Sequence, residues 1–407
     1  MILCRFCKSE TTLINDFGPM PIANGFYPPS SLNKYRFNLS TSFCNSCKLF
    51  QIVNQPEKEL MFNENYPFFT GLSKKMTEHF HKMVTDSFKT FSEINPPKFV
   101  VEIGCNDGTL LQKVNEMRVK HVGIDPSSNV VERARGKGIN VEAEFFGLEV
   151  AGKIKEKYSS ADIIFAANVI CHLPDISDVI LGIKALLSEE GVFIFEEPYA
   201  GSVLELTSFD QFYDEHVYIF SLISIQNIFE SVGLELFDAI PQETHGGSMR
   251  YFIARKGTRE KTSGLQNLIQ VELNSGLSNI SKYQKFAENC ISIKNELVAL
   301  LIKLRNEGKT VGGYAATSKS TTVLNYCELD SSLISFICDS TPEKIGMLTP
   351  GSRIPIITIE EMHLNPPDYL VLFGWNHEKE IREKEVTISN AGVKWIKYIP
   401  RVEVIDH

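Results

Sequence analysis

The stretch Val100–Leu111, VVEIGCNDGTLL, decides the fold. An apolar run passes into a glycine turn and then a helix start, the pattern of a strand feeding a helix in a layered α/β protein. Gly104 and Gly108 follow Glu102 in an E-x-G-x-x-x-G spacing, not the G-x-G-x-x-G that cradles a pyrophosphate. Gly104 lets the backbone approach a ligand closely. A second run, HVGID, ends in Asp125 about 20 residues later, where an acidic residue can accept both hydroxyls of a ribose. A third, ADIIFAANV, carries Asn168 at its end. An adenosyl ligand without a pyrophosphate on the first turn implies S-adenosylmethionine (SAM) at Glu102, Gly104, Gly108, Asp125 and Asn168. An ordinary glycine turn with a surface Asp is the plainer alternative.

Outward from that turn the alternation continues. INVEAEFF, GVFIFEEP, LELFDAI and MRYFIARK read as further strands, the last two close enough for an edge hairpin. Upstream, residues 74–92 space Met76, Phe80, Met83, Val84, Ser87 and Phe88 as one helical face, which Asn95-Pro96-Pro97 stops. After Lys256 a polar linker, GTREKTSG, leads into long helical patterning. A second α/β set follows: KTVGGYAA, ISFICD, IPIITI, DYLVLF and VKWIKYI. The expected division is 1–70, a zinc-binding module; 71–257, the cofactor domain; and 258–407, a second Rossmann-like domain.

The chain has 407 residues, 43% hydrophobic and 22% charged, with Lys+Arg 41 against Asp+Glu 50. That excludes a disordered or fibrous chain and disfavours nucleic acid or acidic membranes as partners. No apolar run approaches the ~18 residues of a membrane span, and MILCRFCKSE lacks a secretory apolar core. A soluble cytoplasmic protein is expected; its oligomeric state is not readable. Nine cysteines there stay reduced. Cys4-x-x-Cys7 and Cys44-x-x-Cys47 form two knuckles suited to one tetrahedral Zn²⁺. Four ligands close the site, so the metal is expected to hold a thin module together and do no chemistry.

The series of motifs resembles the nucleotide-sugar C-methyltransferases of deoxysugar biosynthesis. The two knuckles, VVEIGCNDGTLL, NVICHLPD, FEEPY, FYDEHVYIFS, HGGSMR, GYAATSKSTTVLNY and SFICDSTPEKIGMLTPGSRIPI follow in that order. The resemblance implies an α/β class I SAM-dependent methyltransferase fold with an N-terminal zinc module and a C-terminal Rossmann-like domain. It adds Asn106 and Pro126 to the SAM set. It implies methyl transfer to a carbon beside the ketone of a nucleotide-linked 4-keto sugar, at C3 or C5. One departure is Ala315 and Ser320, where the family typically has glycines.

Methylating carbon requires an enolate, because an unactivated C–H is no nucleophile; one base and donors near the carbonyl suffice. By resemblance, His216 is the base, with Tyr213 and Glu215 beside the sugar. His172, just after the fourth strand, stands at the sheet edge where ligands bind and is expected to donate to a sugar oxygen. A cap and staple for the helix SLISIQNIFESVG is the structural alternative for Phe212–His216. His245, Gly246 and Arg250, between the last two strands, are candidates for binding phosphate, or else a tight hairpin. Tyr66 resembles a position covering the site, or is a packed tyrosine. Ser318 and Lys319, at a helix start after a strand, are candidates for a diphosphate, or form a capped scaffold helix. Asp339–Pro355 is expected to close over the nucleotide. The enzymatic alternative is an O- or N-methyltransferase; the other is a non-catalytic zinc-bearing interaction protein.

Overall fold

The structure, a computed structural model, describes residues 1–31, 34–64, 66, 68–91 and 96–405. Three sheets organise it. The first is antiparallel: β1 (Thr12–Met20), β2 (Phe37–Phe43) and β3 (Phe50–Ile52), joined at its edge by a strand from far along the chain. The first seventy residues, rich in Pro and Asn, nevertheless form β1, whose Phe17 and Met20 point into the core while Thr12 and Asp16 face water. That alternation is the half-buried strand pattern.

The central sheet contains β4 (Phe99–Ile103), β5 (Lys120–Ile124), β6 (Val141–Glu142), β7 (Ala161–Ala167) and β8 (Leu187–Pro198). The distant edge strand of the first sheet is β9 (Tyr218–Ile219), with Phe50 opposite Ile219. The hairpin β10 (Leu234–Gln242) and β11 (Ser248–Arg255) completes the central sheet in the order β10-β11-β8-β7-β4-β5-β6. Only β11 runs against its neighbours. INVEAEFF contributes only Val141–Glu142 as β6, the Glu144 N–H already turning back onto the Glu142 carbonyl.

The helix Lys74–Phe91 buries Phe80, Met83, Val84, Ser87 and Phe88 as expected; Ser92 and Asn95 lie outside the described residues. The helical patterning after 263 resolves into Ser263–Asn274 and Ile280–Asn306. The third sheet is β12 (Val311–Tyr314), β13 (Ile337–Cys338), β14 (Ile356–Ile357), β15 (Tyr369–Leu372), β16 (Lys394–Lys397) and β17 (Glu403–Ile405), in the order β14-β13-β12-β15-β16-β17. Strand order reverses beside β4 in the central sheet and beside β12 in the third. Ligands in open α/β sheets bind at such points. Gly104 and Asn168 flank the first reversal; Ala315 follows the second at φ +72°, a left-handed backbone region that favours glycine.

Candidate active site

The glycine turn after β4 has Gly104 at φ +67° and Gly108 at φ +75°, and a Cβ on Gly104 would strike Val169. Asp125 closes β5. Its Oδ2 accepts from the Asn106 N–H (3.0 Å) and its Oδ1 from the Ser127 N–H (2.9 Å), across half-buried Pro126. Burial raises its pKa to about 6 against those hydrogen bonds. Glu102 is buried, and burial, Asp107 and Asp125 together push its carboxyl well above the usual range. Glu102 Oε2 and Asn168 Oδ1 are buried and have no partner among the described residues. A polar ligand is the ordinary remedy for such atoms. The segment Phe68–Gly71 lies across this turn: the Thr70 N–H donates to Asn106 Oδ1 and Asn106 Nδ2 to the Phe68 carbonyl. Donors, a close-approach glycine and a carboxylate thus converge as an adenosyl ligand requires.

The second cluster forms just beyond. Tyr213–His216 is a short loop between the turn Phe209–Gln211 and β9. It does not cap the following helix, which Ser221 and Ser224 cap themselves. His216 Nδ1 sits 2.8 Å from the Gln211 carbonyl, so Nδ1 carries the proton and Nε2 accepts the Tyr213 O–H at 2.7 Å. Burial chiefly, with His172, Lys319 and His245 adding to it, drives the His216 pKa well below its ordinary value. His172 stacks between His216 (ring centroids 5.2 Å) and Phe62 (5.8 Å). Burial lowers its pKa to about 3, and its Nε2 has no partner among the described residues. Its loop is ordered by Glu197, whose Oε1 accepts the N–H groups of Val169, Ile170 and Cys171.

Glu215 accepts from Tyr66 Oη at 3.1 Å and from Asn24 Nδ2 at 2.6 Å; burial raises its pKa to about 7. Tyr66 and Asn24 line one wall of a cavity of about 710 Å³, with Asn129 and Arg133 from the cofactor side and Glu343 and Lys344 from the third domain. Ser318 Oγ donates to Asn24 Oδ1 at 3.0 Å. Lys319 is buried; its Nζ lies 5.5 Å from the Trp375 ring and has no hydrogen-bond partner among the described residues.

The structure therefore brings Tyr66, His172, Tyr213, Glu215, His216, Ser318 and Lys319 to one place. Arg250 goes elsewhere. Its Nε and Nη2 donate to Glu196 Oε2 at 3.1 and 2.9 Å, within a buried network that includes His79 and Thr244. A guanidinium already paired inside the sheet is not presented to a phosphate, so the phosphate reading of Arg250 is corrected to a structural ion pair. His245 offers its carbonyl to Gln211 Nε2 at 2.6 Å, and Gly246 packs against Trp375, where a Cβ would clash. These two shape the wall behind His216. Asn24 and Gln211 escaped sequence reading because neither belongs to a motif, and Glu197 because its motif FEEPY does not reveal that its carboxylate turns back to the loop after β7.

The cysteine knuckles are nearly superimposable in hydrogen bonding. Lys8 N bonds the Cys4 carbonyl and Lys48 N the Cys44 carbonyl, with both lysines in the left-handed region. The Sγ pairs Cys4–Cys47 and Cys7–Cys44 lie 3.5 and 3.4 Å apart, and all four sulfurs fall within 4.8 Å of one another. Thiolates at Zn–S near 2.3 Å need about that spacing.

Three family models match successive parts of the chain. The family "Methyltransferase domain" matches residues 76–239, "C-methyltransferase C-terminal domain" residues 243–400, and "Putative zinc binding domain" residues 4–62. C-methyltransferase NovU of Streptomyces niveus is 30% identical over 407 residues, covering 99% of this chain and 96% of that one. The chain belongs to the C-methyltransferase family. It is a SAM-dependent C-methyltransferase of class I fold with a zinc-binding N-terminal domain. A tRNA U34 carboxymethyltransferase of Campylobacter jejuni is 31% identical over 126 residues, 28% of this chain and 42% of that one. Among solved structures, magnesium protoporphyrin IX methyltransferase from Synechocystis PCC 6803 with bound SAM is 15% identical, with TM-score 0.34 over 45% of this chain and 82% of that one. The plantazolicin methyltransferase BpumL is 10% identical, with TM-score 0.37 over 46% and 88%. Among the described residues, no helix is long and apolar enough to cross a membrane.

Proposed function

We propose that this C-methyltransferase methylates the carbon beside the ketone of a nucleotide-linked 4-keto deoxysugar, at C3 or C5, through an enolate. The observation that carries the reading is the facing pair of neutral imidazoles: His216, a base whose proton sits on Nδ1, and His172, whose Nε2 lacks a partner among the described residues. The Tyr213 hydroxyl occupies the hydrogen-bonding position of His216 Nε2, and the α-carbon takes that position when the sugar binds. Nε2 removes the α-proton; the C–H electron pair becomes the enolate, with its charge on the ketone oxygen. His172 Nε2–H and the displaced Tyr213 O–H donate to that oxygen and to its neighbour. Glu215 accepts a sugar hydroxyl.

Glu102, Gly104, Asn106, Gly108, Asp125, Pro126 and Asn168 would hold SAM, which supplies an electrophilic methyl group when bound. The nucleotide lies against the third domain. Asp339 there accepts the Ala316 N–H (2.7 Å) and the Thr341 N–H (2.8 Å), the arrangement Asp125 makes in the cofactor domain. Lys319 and Ser318 meet the diphosphate beside it. The zinc is structural, and we place the activity in the cytoplasm. The division into 1–70, 71–257 and 258–407 belongs to the same reading. A mass-spectrometric screen of dTDP-, GDP-, UDP- and CDP-4-keto sugars with SAM tests it. Gain of one methyl on carbon supports it; acceptance of none of the four by active enzyme overturns it.

A further inference from the structure

The loop Pro21–Phe26 of the zinc-binding domain enters the cleft between the other two domains. The Ala23 N–H donates to Asp214 Oδ1 at 2.8 Å, and the Ala23 carbonyl accepts from Thr321 Oγ1 at 2.9 Å. Asn24, next along, is gripped on both sides: its Nδ2 donates to Glu215 Oε1 at 2.6 Å and its Oδ1 accepts from Ser318 Oγ at 3.0 Å. A carboxylate accepts only, so these partners fix which end of the amide is nitrogen. The loop's exit is pinned as well. Tyr27 pairs with Leu348, and Lys344, bonded to the Ala316 carbonyl, stands over the Phe26 ring.

We infer that Asn24 is a positioning residue: it fixes the Glu215 carboxylate in the catalytic loop and couples it to the helix that begins at Ser318. This rests on the reading of Glu215 given above. Each Glu215 oxygen receives one donor, Oε1 from Asn24 and Oε2 from Tyr66, which sets the plane of the carboxylate and leaves its remaining lone pairs for a sugar hydroxyl. Among the described residues, Asp214, Tyr66, Tyr213 and Cys171 face Glu215 with neutral His216 next in the loop, while Arg133, Glu343 and Lys344 line the cavity beyond Tyr66 and Asn24. The Asn24 amide and the Tyr66 hydroxyl are what favours the charged carboxylate against burial, which on its own raises the pKa.

The test is the pH profile of kcat. In the wild type Glu215 contributes to the acid limb, His216 being neutral well below its ordinary range; Glu197, also raised to about 7, has no bond to Asn24, so the part of the limb that moves in the Asn24 variants is that of Glu215. Asn24→Ala removes a hydrogen bond to a charged group, so the limb moves up by about one pH unit and kcat at pH 7 falls about fivefold. Much of that loss returns at pH 9. Zinc content and SAM affinity stay at wild-type values. Asn24→Asp, equal in size, sets a carboxylate against Glu215 and moves the limb further still. A purely structural role would lower kcat alike at every pH in both variants, and that result overturns the assignment. Glu215→Gln separates the two layers. If it keeps wild-type kcat and the same limb, the reading of Glu215 fails. If it abolishes turnover while neither Asn24 variant shifts the limb, only the assignment of Asn24 fails.

Discussion

Replacing Lys319 by methionine removes a buried cation while keeping most of its stem. In the unliganded protein that Nζ has the Trp375 ring at 5.5 Å and the Asp210 carboxylate in its field, but no hydrogen-bond partner among the described residues. An unsatisfied buried polar group costs about 1–3 kcal/mol, and a cation over a ring returns about 0.5–2 kcal/mol. The two nearly cancel, so the substitution leaves the Tm within about 4 °C of wild type. Breaking a satisfied buried ion pair would instead cost about 3–5 kcal/mol. Binding tells the opposite story. A lost charge-assisted bond to a diphosphate costs about 1.5–3 kcal/mol, or roughly 10- to 150-fold in Kd. Calorimetry with dTDP, UDP, GDP and CDP on the SAM-loaded enzyme, beside thermal denaturation, measures both. A large fall in Tm with unchanged nucleotide affinity would refute the reasoning and return Lys319 to the scaffold.

Other outcomes follow from the same geometry. Cys44→Ser removes one of four converging sulfurs, so zinc is lost and the protein becomes insoluble or unstable; full zinc occupancy in soluble mutant would exclude the site. Asp125→Ala weakens SAM by about 2–3 kcal/mol in calorimetry. Because the Asp125 pKa is raised to about 6, and hydroxyl donors require its charged form, SAM affinity is flat above that pH and declines below it; affinity constant from pH 8 to pH 5 counts against the ribose contact. His216→Asn keeps both ligands bound while kcat drops ~10²–10⁴-fold. It also abolishes any exchange of the α-hydrogen with D₂O in the presence of S-adenosylhomocysteine. Methylation at the wild-type rate by this variant would remove His216 from the mechanism.

The cofactor half of the protein was legible because strand, turn and helix there are contiguous. VVEIGCNDGTLL places its own glycines, and HVGID and ADIIFAANV deliver Asp125 and Asn168 to the same sheet edge by parallel pairing. The knuckles were legible for the same reason, each being local. What the sequence hid was assembled over distance. Asn24 meets Glu215 across 191 positions and Ser318 across 294, and nothing in PIANGF announces either contact. Arg250 misled because its partner Glu196 lies on a neighbouring strand 54 positions away. Beside two glycines it resembled a phosphate ligand until the sheet register placed Arg250 directly opposite Glu196.

The strand β9 has a bearing on how these proteins can be recombined. Tyr218 and Ile219 follow the Tyr213–His216 loop after a single residue, yet they pair with Gln51 and Phe50 in the N-terminal sheet. The polypeptide that carries His216 is thus stitched, within a few residues, into the zinc-binding domain. A chimera that exchanges that domain at the obvious junction near residue 70 would graft a foreign edge onto β9 and shift His216, the proposed base, with it. Crossover libraries between relatives should therefore move residues 1–70 and 209–220 together, as one unit split in the gene but single in space.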